Sequence, residues 1–281
     1  MKKRKLEELF FKALTVLATI VVTGSFFLIT GTIFYKGIPF MNLDMLTKTP
    51  GGGFYIGKEG GVLNAIIGSF YVAGGATVLG LLISIPVALF INIYMNGKRF
   101  LSNTLRMIFD VLFGIPSIVY GAFGFLIMVY FGIRASLLGG IIAVTLLVIP
   151  ILVRTLDEVI RTVPNELRDA SLSLGATRWE MSKIVLRQIR PGLYTAILLS
   201  FGRAIGDVAS VLFTAGFSDN IPTSLHEPAA TLPLAIFFQL GSPVQEVQGR
   251  GYASALILTV IVLIITVLSE ILTRKFSKYK I

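Results

Sequence analysis

The sequence predicts an all-α integral membrane protein of about six transmembrane helices, and three observations lead there. Of its 281 residues 54% are hydrophobic and only 14% are charged, whereas a soluble domain carries about 25% charged residues. The missing charge is concentrated in long uncharged apolar runs. Such runs of about 18 or more residues are span candidates, because about 20 helical residues cross the hydrocarbon core. Finally, lysine and arginine cluster beside the runs rather than within them, the pattern that orients membrane helices.

Taken in order, the expected spans are 13–35, 65–95, 107–130, 137–153, 192–217 and 251–273. Met1-Lys2-Lys3-Arg4-Lys5 precedes the first. Its apolar stretch exceeds a signal-peptide core of about 7–15 residues, so it reads as a retained span. The second is too long for one straight crossing and is expected to tilt, bend at Pro86 or begin outside the membrane. Pro116 and Pro150 lie inside the third and fourth, with Gly114, Gly121 and Gly124 around the former. Breakers of this kind are tolerated where neighbouring helices re-satisfy the freed backbone groups.

With the N-terminus inside, 19 of the 25 Lys and Arg residues fall in cytoplasmic segments, five in outer loops, and Arg203 alone within a span. This bias places both termini in the cytoplasm. The organisation expected is an N-terminal segment with the first helix and outer loop over 1–62, a transmembrane domain over 63–275 and a tail over 276–281. The domain includes a cytoplasmic loop at 154–191. The last outer loop, 218–250, holds an apolar stretch, Leu232–Leu240, too short to span and expected to be re-entrant or to lie on the outer face.

Several function classes are excluded or weakened. The net charge of +10 is explained by topology rather than by nucleic-acid binding. The absence of cysteine removes disulfides, thiol catalysis and cysteine metal sites. Gly52–Glu59 nearly matches a phosphate-binding loop, but Glu59 stands where the Mg²⁺-binding Ser or Thr should be, and no hydrophobic strand precedes it. Its glycines read as a turn. His226 is the only histidine, and no nucleophile–histidine pair or metal-ligand set is evident, so neither catalytic residues nor a cofactor are expected.

The charged loop 154–191 reads as helix. Pro164 suits a first turn, Glu166–Leu174 follows without a breaker, and Gly175 supplies the left-handed residue that ends a helix. Thr177-Arg178-Trp179-Glu180 restarts it as a capping box. The apolar side chains of this helix–turn–helix either pack on the bundle or dock into a groove of a soluble partner, and Trp179 suits both.

Arg203 and Asp207 lie inside the fifth expected span, where a charge costs about 2.5–3.5 kcal/mol on insertion scales. Four residues apart, they share a helix face and can pair. Gly202 and Gly206 form a small-residue face that admits a close helix approach. Two readings follow: a structural pair locking helices together, or a lining of the translocation pathway in which Arg203 meets an anion and Asp207 neutralises or gates it.

Asp169-Ala170-Ser171-x-x-x-Gly175, with Ile184, Leu186 and Pro191 downstream, resembles the "EAA" loop of ABC importer permeases. Asp169 replaces the usual Glu and Ser171 the second Ala. The resemblance implies that Glu166, Asp169, Ala170, Ser171, Gly175, Ala176 and Trp179 couple the bundle to a cytoplasmic ATPase. Gly202-Arg203-Ala204-Ile205-Gly206-Asp207, then Leu212-Phe213-Thr214-Ala215, resembles a stretch of the phosphate ABC importer permeases (PstA-type), with Asp207 where Glu is usual. So do Gly51–Gly53, Gly60–Ser69, Gly114–Gly121, Val163–Arg168 and Ala230–Pro233.

That resemblance covers most of the chain after the first span. It implies a type I importer permease fold (MetI-like), inorganic phosphate as cargo, and a prokaryotic inner membrane. The implied partners are a PstB-type ATPase dimer, a PstC-type sister permease and a PstS-type binding protein. A molybdate- or sulfate-type permease is the alternative within the class. An ion-coupled secondary transporter is the alternative outside it, although no inverted repeat is evident and Asp207 is the one acidic group of the relay kind.

Overall fold

A computed structural model of the protein describes residues 2–51, 59–95 and 98–277. The near-match to a phosphate-binding loop at 52–58 and the end of the C-terminal tail lie outside the described residues. Eleven α-helices follow in order: α1 (Lys2–Gly37), α2 (Leu43–Thr47), α3 (Leu63–Leu89), α4 (Arg99–Phe113), α5 (Ser117–Tyr130) and α6 (Leu137–Arg161). Then come α7 (Asn165–Ser173), α8 (Arg178–Gln188), α9 (Arg190–Ile205), α10 (Leu232–Leu240) and α11 (Gln245–Ser277). Among the described residues the only β pairing is an isolated bridge between Pro50 and Gly60.

The centre of the bundle is the packing of α3 on α6, reinforced by α9. Val72, Ala73 and Ala76 of α3 are buried with Val144, Val148 and Leu152 of α6 in one apolar cluster. Small residues on α3 let the two backbones approach, which is how helices associate where lipid removes the usual hydrophobic drive. A second cluster joins Met45, Val62 and Ala65 to Leu232 and Ala235 of α10 and to Ala253 and Ile257 of α11. By contrast, α1 touches chiefly α11 and leaves Phe10, Phe11, Val22 and Phe27 exposed. An apolar surface of that extent is a lipid or subunit contact, not a water-facing one.

Among the described residues, four helices are individually long and apolar enough to cross a membrane, Glu7–Phe40, Leu63–Tyr94, Leu137–Arg161 and Gln245–Leu272, with a bent pair, α4 plus α5, as a fifth candidate. The first, second, fourth and sixth expected spans therefore each overlap one such helix, which runs beyond the expected bounds at one end or both. α6 is longer than expected, so 154–161 continues the span helix, and the protruding loop starts at Thr162. The second span runs through Pro86 and changes into a π turn at Phe90–Tyr94.

Two expected spans are built differently. The third, 107–130, is broken between Phe113 and Ser117, and its halves meet at 95°. Pro116 is extended (φ −57°, ψ 139°); it has no N–H to donate and keeps the residue before it out of helical conformation, so the break falls there. The fifth, 192–217, is helical only to Ile205. Beyond it Asp207 accepts hydrogen bonds through Oδ2 from the backbone N–H (2.8 Å) and hydroxyl (2.5 Å) of Ser210. That local arrangement competes with continued helix, and the chain proceeds as a series of turns.

The irregular segment after Asp207 is enclosed by protein. Its carbonyls accept hydrogen bonds from the start of α6 (Ser136 N–H to Thr214 O, 3.0 Å; Leu137 N–H to Glu227 O, 2.8 Å) and from α3 (Asn64 Nδ2 to Ser218 O, 2.6 Å). Non-helical backbone is stable at membrane depth only with such partners. Gly121 of α5 makes this close packing possible, because a Cβ there would lie 2.6 Å from the Ala209 carbonyl oxygen. The apolar stretch 232–240 forms α10, packed on α11 and α3.

Candidate functional site

Arg203 stands in the last turn of α9, and Asp207 lies just past its end. Their side chains pair at 3.4 Å, Nη2 to Oδ1. The environments of the two groups are unequal: the Asp207 side chain is 3% exposed and that of Arg203 is 49% exposed. Ser210 holds the other carboxylate oxygen, so the acid is fixed to the backbone turn while the base reaches outward.

Arg203 lines a cavity of about 710 Å³ enclosed by the α4–α5 elbow, α6 and α9, together with Asp110, Tyr120, Arg154, Glu158 and Leu199. Arg154 bridges Asp110 and Glu158 within that cavity, each at 3.2 Å. The cavity thus presents two guanidinium groups, each already engaged by carboxylate. A guanidinium fork matches the geometry of a tetrahedral oxyanion. Arg203 also borders a groove between α9 and α11 beside Gly202 and Ile265.

Among the described residues, Gly202 and Gly206 have no tight neighbour. A Cβ at Gly202 would meet only Ile265, at 3.9 Å, and one at Gly206 only the Gly202 carbonyl, at 3.6 Å. The close helix approach expected of them is not made among the described residues.

The cytoplasmic helix–turn–helix forms as its local signals dictate. Pro164 precedes α7 as its N-cap, and Gly175 is left-handed at φ +81°. The Gly175 N–H donates to Leu172 O (2.9 Å) and the Ala176 N–H to Ser171 O (3.1 Å), which closes the helix end. The capping box is complete: the Glu180 carboxylate accepts from the Thr177 N–H (2.8 Å), and the Glu180 N–H donates to Thr177 Oγ1 (3.3 Å). The Thr177 N–H, together with the Thr177 hydroxyl that also donates to the carboxylate (2.9 Å), holds the Glu180 carboxyl below its ordinary pKa.

Of the residues named for this turn, Ser171 is buried, whereas Glu166, Asp169, Ala170 and Gly175 are exposed. Leu174 is 88% exposed and Trp179 63% exposed at its tip. Trp179 therefore does not pack on the bundle; the Lys183 ammonium lies over its ring, 5.2 Å from the centroid.

Sequence reasoning missed one polar cluster. Arg106 of α4 donates through Nε to both oxygens of Asp157 on α6 (3.1 and 3.0 Å), through Nη1 to Ser102 (2.7 Å) and through Nη2 to Asn92 (3.2 Å). Asn92, presented by the π turn, donates in turn to Asp157 (2.7 Å). Three elements are tied together there. An acid and a base at the ends of two different spans were the only signal, and it reads equally well as topology.

Residues 80–278 match the family described as "Binding-protein-dependent transport system inner membrane component". The "Phosphate transport system permease protein PstA" of Haemophilus influenzae is 34% identical over 264 residues, covering 92% of this chain and 90% of the relative. That of Pasteurella multocida is 36% identical, covering 98% and 97%. A chain of the inward-facing MetNI methionine ABC transporter shares the fold, with a TM-score of 0.61 at 18% identity over 76% of this chain and 94% of that one. The chain is a multi-pass membrane protein and belongs to the binding-protein-dependent transport system inner membrane component family.

Proposed function

We propose that the chain is the permease subunit of an ATP-driven importer and forms, with a sister permease, the translocation pathway for inorganic phosphate. The observation that carries this reading is the half-exposed Arg203 guanidinium, facing a cavity at the break of α9 while its carboxylate partner stays buried and anchored. A pair meant only to lock helices would bury both groups; here the base remains available to a tetrahedral anion. The relatives named PstA support phosphate as that anion. In this account Asp207 holds Arg203 between transport events and releases it to cargo.

The helix–turn–helix α7–α8 is the second working part. Its exposed tip, Leu174 and Trp179, inserts into a groove of a cytoplasmic ATPase dimer, with both chain termini on that side. An extracytoplasmic binding protein delivers phosphate to the opposite face. Gly202 and Gly206 serve an approach by the sister subunit, since no helix among the described residues packs tightly on them.

Proteoliposomes containing the assembled transporter test this. ATP-dependent uptake of labelled phosphate, competed by unlabelled phosphate and not by molybdate, is the expected result. Competition by molybdate with no phosphate uptake would transfer the chain to a molybdate-type system. Phosphate uptake driven by a proton gradient without ATP would reject the mechanism.

A further inference from the structure

A second basic cavity lies away from the Arg203 site. It has a volume of about 670 Å³ between the π turn, α4, the end of α6 and the start of α7, and its charged lining is Arg99, Arg106, Arg161 and Arg168. No carboxylate lines it; its remaining polar groups are asparagines and Ser102. Asp157 neutralises Arg106 from behind, but neither Arg99 nor Arg161 has an ion-pair partner among the described residues. Arg168 donates one N–H to Ile160 O at 2.8 Å, while its Nε is buried with no partner. An unsatisfied buried donor is costly, and here it belongs to a guanidinium whose pKa burial already lowers.

The helix that lines the cavity identifies the class of ligand. Arg99, Ser102, Asn103 and Arg106 put the polar face of α4 on the cavity, and Phe100, Met107 and Val111 leave its other face apolar and exposed. A basic amphipathic helix of this kind lies along the membrane interface, where phosphate groups are concentrated. We propose that the cavity binds a phosphate group, either a lipid headgroup or free inorganic phosphate, through Arg99, Arg161 and Arg168. Occupancy ties α4 to the first turn of α7 and thereby steadies the helix–turn–helix. The inference does not depend on the transport reading.

Arginine modification by phenylglyoxal, read at each residue by peptide mass spectrometry, tests it on the full chain in nanodiscs. Phosphatidylcholine discs with and without inorganic phosphate form one arm, and discs containing phosphatidylglycerol without it form the other. Several-fold slower labelling of Arg99 and Arg161 is expected relative to Arg187 and Arg190, equally exposed arginines outside the cavity. Protection by inorganic phosphate in phosphatidylcholine identifies the free anion; protection only with phosphatidylglycerol identifies the headgroup. Arg161→Gln, an exposed position that leaves the fold intact, should abolish protection at Arg99. No protection in either arm, or equal slowing of all four arginines, would overturn the proposal.

Discussion

Arg106 and Asp157 lie 51 positions apart in sequence and form a two-oxygen contact at 3.0 and 3.1 Å, with side chains only 16% and 2% exposed. The pair fastens the amphipathic α4 to the end of α6, one short turn before the helix–turn–helix begins. Movement of that turn must therefore pass through, or pull against, this contact.

Removing one partner should be costly. Asp157→Ala strands a largely buried guanidinium, and breaking a buried pair this way typically costs about 3–5 kcal/mol. Thermal unfolding of the purified chain in detergent is expected to shift downward clearly for Asp157→Ala. The double replacement Arg106→Met with Asp157→Leu should recover much of the loss, because an apolar pair removes both desolvation penalties. A double variant as unstable as the single one would show that the contact contributes more than charge neutralisation.

The left-handed Gly175 sets the angle between α7 and α8. Its φ of +81° costs a residue with a Cβ about 1–2 kcal/mol; Gly175→Val also brings β-branching to an exposed turn that has open space around it. Global stability should change little, since nothing packs on the position. Coupling should not survive: ATP hydrolysis by the assembled transporter is expected to continue without phosphate uptake. Uptake at the original rate would separate the turn from the coupling path.

Trp179 is the sole tryptophan, so emission excited at the long-wavelength edge, where tyrosine does not absorb, reports on this turn alone when the partner is a tryptophan-free ATPase variant. At 63% exposure its emission in the isolated chain should be that of a solvated indole. Adding the ATPase dimer is expected to shift it to shorter wavelength as the ring is covered. An unchanged spectrum with a complex demonstrably formed would place the contact elsewhere.

The helix–turn–helix was legible from sequence because each of its devices is local: the glycine, the Thr177–Glu180 box and Pro164 act within a few residues. The spans containing α1, α3, α6 and α11 were legible for a similar reason, since a long apolar run states its own environment. The elbow at Pro116 was visible as a breaker, but not as a 95° turn, which depends on what α5 packs against. The end of α9 was hidden because the apolar run continues past it through Val211–Ala215. There Asp207 turns to Ser210, and the carbonyls freed from the helix are met by donors from α3 and α6. Pairings such as Arg106–Asp157 depend on tertiary placement, and spacing along the chain carries no trace of them.

In the proposed pathway Arg203 meets the transported anion while Asp207 keeps it poised. Phosphate uptake by the assembled transporter carrying Arg203→Gln, with co-purification of its subunits measured in parallel, tests it most directly. Abolished uptake with assembly retained is the predicted result. Uptake at the unaltered rate, or loss of assembly together with uptake, would contradict it.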